Sequence, residues 1–402
     1  MYGGFKEMKE FDISNPAIYE NAFNFMKRYI QNKHLNKVLN TWGIKKTRRL
    51  QDMHEEIIDR VRFGLIDIKD FSDWLSISQI DGNNYHFVYD VDFIKTKEKV
   101  AKEILENSHH VTENILTLNP DSINQTTLIN VFKLQHKYVF VFLSPAEIAL
   151  KREYIDGSYS YINKKIVYPS IVECDFKNNT VNVILNPTTG LVHVDNVSQG
   201  KYSSFSPIAD LYLEKTKELL GNFIINKPEW LPKAFFEFAE ELSAIKDPKI
   251  QEVLRNMDEK IRDFSKDILE ENNIIDIALK DSFYAEIQDS FITVLQEEYG
   301  IEGDYEDPYR VYFQKTDQAT SSIAVESKTN ILTNGTTNRI AKQSRQDSDL
   351  KVIGLEYRPD EHNLYRFRIE DGVDHILIKP SNRFTEEEVV QNVISKLREY
   401  KS

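Results

Sequence analysis

The spacing of the apolar residues changes three times along the chain, and that alternation limits the folds open to it. Up to about residue 77 apolar side chains recur at helical intervals: Ile18, Ala22, Phe25, Met26 and Tyr29, then Met53, Ile57, Ile58 and Val61. From about Thr126 short, strand-like segments take over: Lys137–Leu143, Lys165–Cys174 and Thr180–Asn186, the last two flanking a Lys177-Asn178-Asn179 turn. Helical spacing returns after Ser206-Pro207 and holds to about Tyr299. Strand-like segments resume at Tyr309, before a closing helix with Thr385 and Glu388 as a capping box. Such segregation predicts an α+β, multi-domain protein rather than a doubly wound one. We expect a helical N-terminal module (1–80), a central α+β domain (81–206), a helical region (207–303) and a C-terminal antiparallel β module with a terminal helix (304–402). Tyr159–Tyr161 and Tyr202–Phe205 read as connecting segments. Lys328–Asp349, rich in Thr, Asn, Gln and Ser, reads as a loop whose Lys328, Arg339, Lys342 and Arg345 could order on nucleic acid or on a partner.

At 402 residues the chain is long enough for two or three cores. Its one cysteine, Cys174, excludes an internal disulfide framework and a cysteine-based zinc site, and is expected to be buried. No stretch has the roughly 20 apolar residues that span a bilayer, and the N-terminus lacks the apolar core of a signal peptide. A cytoplasmic protein is expected, with no membrane partner and with oligomer formation left open. There is no P-loop, G-x-G-x-x-G or G-x-S-x-G motif, so no cofactor is implied.

The formal charge of −13 argues against indiscriminate coating of nucleic acid. It is unevenly spread: +4 over residues 1–62, −4 over 63–208, −14 over 209–308 and +1 over 309–402. Between Asn21 and Gln51 stand eight cations and no carboxylate: Lys27, Arg28, Lys33, Lys37, Lys45, Lys46, Arg48 and Arg49. The acidic block holds the clusters Glu237, Glu240, Glu241 and Asp258, Glu259, Asp263, Asp267. With no histidine in that block, it reads as a solvated face or a protein-docking surface rather than a di-iron site.

His34–Gly64 combines an amphipathic helix (Leu35, Val38, Leu39), Gly43-Ile44, a basic connector and a second amphipathic helix (Ile57, Ile58, Val61). These 31 residues resemble the helix-extension-helix pattern of SAP-type DNA-binding modules. The resemblance implies that Lys45, Lys46, Arg48 and Arg49 lie along phosphates, with Lys33 and Lys37 adjoining. The acidic Asp52, Glu55, Glu56 and Asp59 of the second helix depart from that pattern. Independently of any family, such a row binds phosphate by charge and counterion release, without reading sequence. A second resemblance is Glu326-x-Lys328 at the end of an apolar strand, as in PD-(D/E)XK-type nucleases. It implies a divalent metal held by Glu326 with Asp317 or Asp307, and Lys328 near the attacking water.

Three functions follow. The leading expectation is a non-enzymatic protein associated with DNA or RNA, which also binds one or more proteins through its acidic helices. Its Asn-, Ile-, Lys-, Phe- and Tyr-rich composition is compatible with a bacterial or phage-related defence component. The alternatives are a metal-dependent nuclease using Glu326 and Lys328, and a scaffold or inhibitor acting through its acidic surface.

Overall fold

The computed structural model describes residues 15–401 except 94–95, 107–110, 112, 154–157, 244–247, 275, 300–306, 318–321, 327–339 and 346–348. The protein is α+β and forms two compact units, Met1–Pro228 with Gly372–Val390, and Glu229–Asp371 with Gln391–Ser402. The boundaries read from sequence at 80 and 206 fall inside the first unit, and that at 303 inside the second. Charge and periodicity mark elements; they do not show which elements share a core.

In the first unit, α1 (Ala17–Tyr29), α2 (Asn32–Asn36), α3 (Leu50–Arg62) and α4 (Ile68–Ile77) precede the first strand. Local chemistry sets their ends. The Ala17 N–H donates to the Asn15 side chain at 3.0 Å. The Asp67 carboxylate accepts from the Lys69 and Asp70 N–H groups and caps α4. Gly43 and Gly64 take φ of +64° and +68°, which permits the reversals after the α2 turn and after α3. The sheet order is β13 (Ile376–Pro380), β1 (Tyr85–Asp92), β5 (Thr180–Leu185), β4 (Tyr159–Asp175), β3 (Lys137–Glu153), β6 (Leu191–Val194) and β7 (Val197–Ser198). β2 (Thr127–Leu134) also pairs with β3, and β8 (Ile224–Asn226) with β1. Each of these pairings is antiparallel.

Both faces of this sheet are covered, so its central strands are apolar throughout rather than alternating. Phe87, Tyr89, Tyr138, Phe140, Phe142, Tyr168, Val172 and Cys174 face α5 (Thr96–Glu106) and α6 (Ser206–Leu220). Val139, Val141, Leu143, Val167 and Ile171 share the other core with α1–α4. There Met26, Leu35 and Ile57 are fully buried, each contributing about 1.5–3 kcal/mol.

β3 and β4 are each 17 residues long and pair in unbroken register from Lys137↔Asp175 to Glu153↔Tyr159. Tyr159–Tyr161 is therefore strand, not connector. Beyond Ile148 the ribbon is wet on both faces, so no apolar alternation marks it.

In the second unit, β10 (Ser322–Glu326), β9 (Tyr309–Asp317), β11 (Leu350–Tyr357) and β12 (Tyr365–Asp371) form an antiparallel sheet in that order. α7 (Leu231–Ser243) buries Leu231, Ala234, Phe235 and Phe238, while α8 (Pro248–Glu271) and α9 (Ile277–Tyr299) form a helical pair. Within the segment read as a loop, residues 340–345 form a helical turn, α10. Its Ala341, Ser344 and Arg345 are buried, and a polar sequence conceals that role. In the last helix, α11 (Glu387–Arg398), the Thr385 hydroxyl does not act as the expected cap. The Thr385 hydroxyl is buried without a hydrogen-bond partner, and Asp81 accepts the Glu387 N–H instead at 2.9 Å.

Candidate nucleic-acid interface

The basic segment is built around a buried histidine. The Gln31 N–H donates to His34 Nδ1 at 2.9 Å, so Nε2 carries the ring hydrogen and donates to the Asp81 carbonyl at 3.2 Å. Burial lowers the pKa of His34 and keeps this neutral tautomer. The same Asp81 pairs through its carboxylate with Lys37, while Lys33 pairs with Glu386 at 3.4 Å. Lys33 and Lys37 are thus half-exposed cations with partners of their own.

The connector differs. Ile44 is buried, its N–H bonded to the Leu39 carbonyl at 2.8 Å, and anchors the start of the extended segment. Thr47 Oγ1 donates to the Arg49 carbonyl at 2.9 Å just before α3 begins. Between these fixed points Lys45, Lys46, Arg48 and Arg49 are exposed, and among the described residues none has a carboxylate partner. α3 begins without a side-chain hydrogen bond from its N-cap residue, Arg49, and the positive helix end adds to the local field.

Other polar groups of the module are engaged. Arg60 pairs with Glu56 at 3.0 Å and donates to the Trp42 carbonyl at 3.1 Å. Trp42 itself packs edge-on against Trp74 at 4.9 Å.

A shallow groove of about 390 Å³ adjoins the connector, lined by Asn32, Lys33, Leu50, Asn382, Arg383 and Phe384. Arg383 is exposed and, among the described residues, has no carboxylate partner. It joins the four connector cations from more than 330 positions away. Nothing local in the sequence distinguishes it; only the return of residues 372–390 to the first unit brings it here.

The nuclease residues are not brought together. In the β9–β10 ladder Ser322 faces Asp317 and Glu326 faces Phe313. Asp317 and Glu326 therefore stand at opposite ends, roughly 13 Å apart at about 3.4 Å per residue. Asp307 lies beyond the far end of β9, its carboxylate accepting the Tyr309 N–H at 3.1 Å. Glu326 is 62% exposed and 4.0 Å from Arg368. Lys328 and Arg339 lie outside the described residues. Among the described residues no three His, Cys, Asp or Glu side chains cluster as metal ligands.

Part of the acidic block is neutralised within its own unit. Glu237 pairs with Lys233 at 3.5 Å and Glu241 with Lys396 at 3.4 Å. Asp258 accepts from Tyr284 and lies 3.7 Å from Arg262. Lys342 holds Asp289 at 2.9 Å. The Arg345 side chain, fully buried, binds Glu240 and Gln314. Lys342 and Arg345 thus pair within the fold, and the Arg345 side chain is closed to a phosphate.

One further titratable cluster lies inside the first unit. Lys137 stands 3.6 Å from Glu173 and 2.9 Å from Glu387, and Asn182 donates to Glu173 at 2.8 Å. Burial and the nearby Glu387 push the Glu173 pKa well above the carboxylate range. Burial alone would lower Lys137, but the two carboxylates outweigh it. The cluster can share one proton between two carboxylates around one cation, and it lines no described groove. Cys174 is fully buried and burial pushes its thiol pKa up, which makes it inert.

Among the described residues no helix is long and apolar enough to cross a membrane. Comparison of the chain with models of protein families and with curated proteins returns no match.

Proposed function

We propose that this is a non-enzymatic nucleic-acid-associated protein that grips the phosphate backbone of DNA or RNA through the connector ahead of α3. The supporting observation is that Lys45, Lys46, Arg48 and Arg49 are exposed without carboxylate partners among the described residues, whereas Lys33, Lys37 and Arg60 of the same module are paired. Charges that stabilise nothing in the fold are held at a fixed place by Ile44 and α3. Arg383 enlarges the surface. Guanidinium groups at Arg48, Arg49 and Arg383 suit bidentate contact with phosphate. On this reading the connector works as the SAP-like extension does, and the protein acts in the cytoplasm, as its composition suggests, within a bacterial or phage-related defence system. A protein partner docks on the α8–α9 pair, where Phe264, Leu279 and Val294 are exposed among carboxylates.

Salt dependence of binding tests this. Five contacts give a slope of log K on log salt of about −4.5, or about a 500-fold loss of affinity between about 50 and 200 mM salt. Arg48→Glu with Arg49→Glu is expected to lower the slope by about 2. An unchanged slope in that variant, read by fluorescence anisotropy, refutes the assignment.

A further inference from the structure

The outer half of the β3–β4 ribbon serves no core. From Leu150 to Glu153 and from Tyr161 to Lys165 every side chain is exposed, and Leu150, Tyr159, Tyr161 and Ile162 are 44%, 58%, 66% and 43% exposed. Large apolar and aromatic groups on an element with two wet faces are costly unless something covers them. The ladder from Glu147↔Lys165 to Glu153↔Tyr159 has six steps, so the ribbon reaches roughly 20 Å at about 3.4 Å per residue.

Its charge selects the partner. The described part of the arm carries Lys151, Arg152, Lys164 and Lys165 against Glu147 and Glu153. Both carboxylates are already engaged: Glu147 accepts from Asn163 at 3.2 Å, and Glu153 pairs with Lys151 at 2.7 Å. Lys164 and Lys165 have no carboxylate partner among the described residues. Lys151 also lies 4.6 Å from the ring of Tyr159, which meets Tyr161 edge-on at 5.9 Å. The open strand edges would invite pairing with another chain, but the lysines along them oppose it.

The arm also continues the basic module. Lys165, Tyr161, Tyr159 and Lys151 prolong the sheet face that Val139, Val141, Val167 and Ile171 present to α1–α4. Tyr29 Oη donates to the Val167 carbonyl at 2.7 Å, so the last turn of α1, with exposed Lys27 and Arg28, sits at the root of the arm.

We infer that this ribbon inserts into the major groove of double-stranded DNA, with Lys164 and Lys165 on the flanking phosphates and Tyr159 and Tyr161 toward the base edges. The inference rests on the reading of the chain as a nucleic-acid binder and narrows that reading to one ligand class. The major groove of B-form DNA, about 12 Å wide, admits a two-stranded ribbon. The major groove of A-form RNA is too deep and narrow for side chains to read. A single strand would call for a flat stacking platform rather than a free-standing arm.

The test uses the full chain with a duplex DNA, the matching RNA duplex and one DNA strand. Anisotropy gives the salt slope, and dimethyl sulfate protection at guanine N7 reports major-groove occupancy. Duplex DNA is expected to bind at least about tenfold more tightly than either alternative. Lys164→Ala with Lys165→Ala should lower the slope by about 2 and abolish N7 protection, as should Tyr161→Ala for the protection alone. These side chains are exposed, so the melting temperature should hold. Arg48→Glu with Arg49→Glu should weaken binding yet keep N7 protection at saturation. If the arm variants match wild type in slope and protection while the connector variant does not, the arm assignment is wrong and the connector stands. The reverse result leaves the arm in place and removes the connector. Preference for RNA or single-stranded DNA, or an arm-dependent dimer or vesicle binding without duplex binding, also overturns the proposal.

Discussion

Replacing Arg345 by alanine separates a cation that holds the fold from those proposed to hold phosphate. Its guanidinium is fully buried. Nη1 donates to Gln314 Oε1 at 3.0 Å, while Nε and Nη2 reach Glu240 Oε1 at 3.2 and 2.6 Å. Gln314 is itself buried, and its amide is committed to the Ala341 carbonyl and Ser344 Oγ. Arg345→Ala therefore strands a buried acceptor, at about 1–3 kcal/mol. It also removes two buried methylenes, worth about 1.6 kcal/mol. Glu240 is 36% exposed, so water replaces much of what it loses. Release of the buried guanidinium from its desolvation cost offsets part of the sum. The net expectation is a loss of about 3 kcal/mol. Arg345→Lys, which cannot serve Gln314 and Glu240 together, should cost about half as much. With two units global unfolding need not be two-state. Hydrogen exchange of the amides of 311–316 and 341–345 is therefore the suitable assay. A change below about 1 kcal/mol would show that the pair contributes little. Loss of DNA binding with unchanged protection would show that Arg345 is a contact residue, against the burial argument.

Two further perturbations have definite signs. Burial lowers His54 to about 4, and its Nε2 has no hydrogen-bond partner. The native state thus binds fewer protons than the unfolded chain between about pH 6.5 and 4, so stability falls as pH falls through that window, by up to about 1.4 kcal/mol per pH unit. Urea unfolding of His54→Leu at about pH 7 and about pH 5 should show a dependence weaker by about one proton, and equal dependence in both proteins rejects this. Gly190 has φ +72°, and a Cβ there would lie 2.6 Å from the Ala149 carbonyl oxygen at the root of the arm. Gly190→Ala should cost about 2 kcal/mol or more and loosen exchange protection around Ala149, and an unchanged melting temperature would contradict it.

Much of the fold was legible where local chemistry decides it. The helical spacing of Ile18, Ala22, Phe25, Met26 and Tyr29 and of Ile57, Ile58 and Val61 depends on near neighbours, and these residues lie on α1 and α3. Failures came where a distant partner decides. Thr385 and Glu388 satisfy a capping rule, yet Asp81 supplies the cap across 306 positions. The polar run around Arg345 looked like a loop because its burial depends on Gln314 and Glu240 accepting the guanidinium. Of the proposed surface, the connector cations stood out as an uninterrupted basic row. Arg383 and the arm did not: one is a lone arginine, and the other has no buried face to impose a period on its sequence.

These failures bear on what counts as the binding module. Charge and helical spacing together mark off residues 1–80, but Leu35, Ile57 and Met26 are buried against a core completed by Val139, Val141, Leu143 and Ile171 of the sheet. That sheet is in turn completed by β13, which covers His86–Val88 of β1. The segment that follows β13 bridges Thr385 to Gly82, presents Glu387 to Asp81, and carries the carboxylates that pair with Lys33 and Lys137. The chain thus leaves the first unit after Pro228 and returns at Gly372 with the residues that hold Asp81 in place. Asp81 also fixes Lys37 by its carboxylate and His34 by its carbonyl. The geometry of the N-terminal basic surface is therefore set by residues from both ends of the sequence. A module cut at that boundary would keep Lys45–Arg49 and lose the framework that holds them in one row.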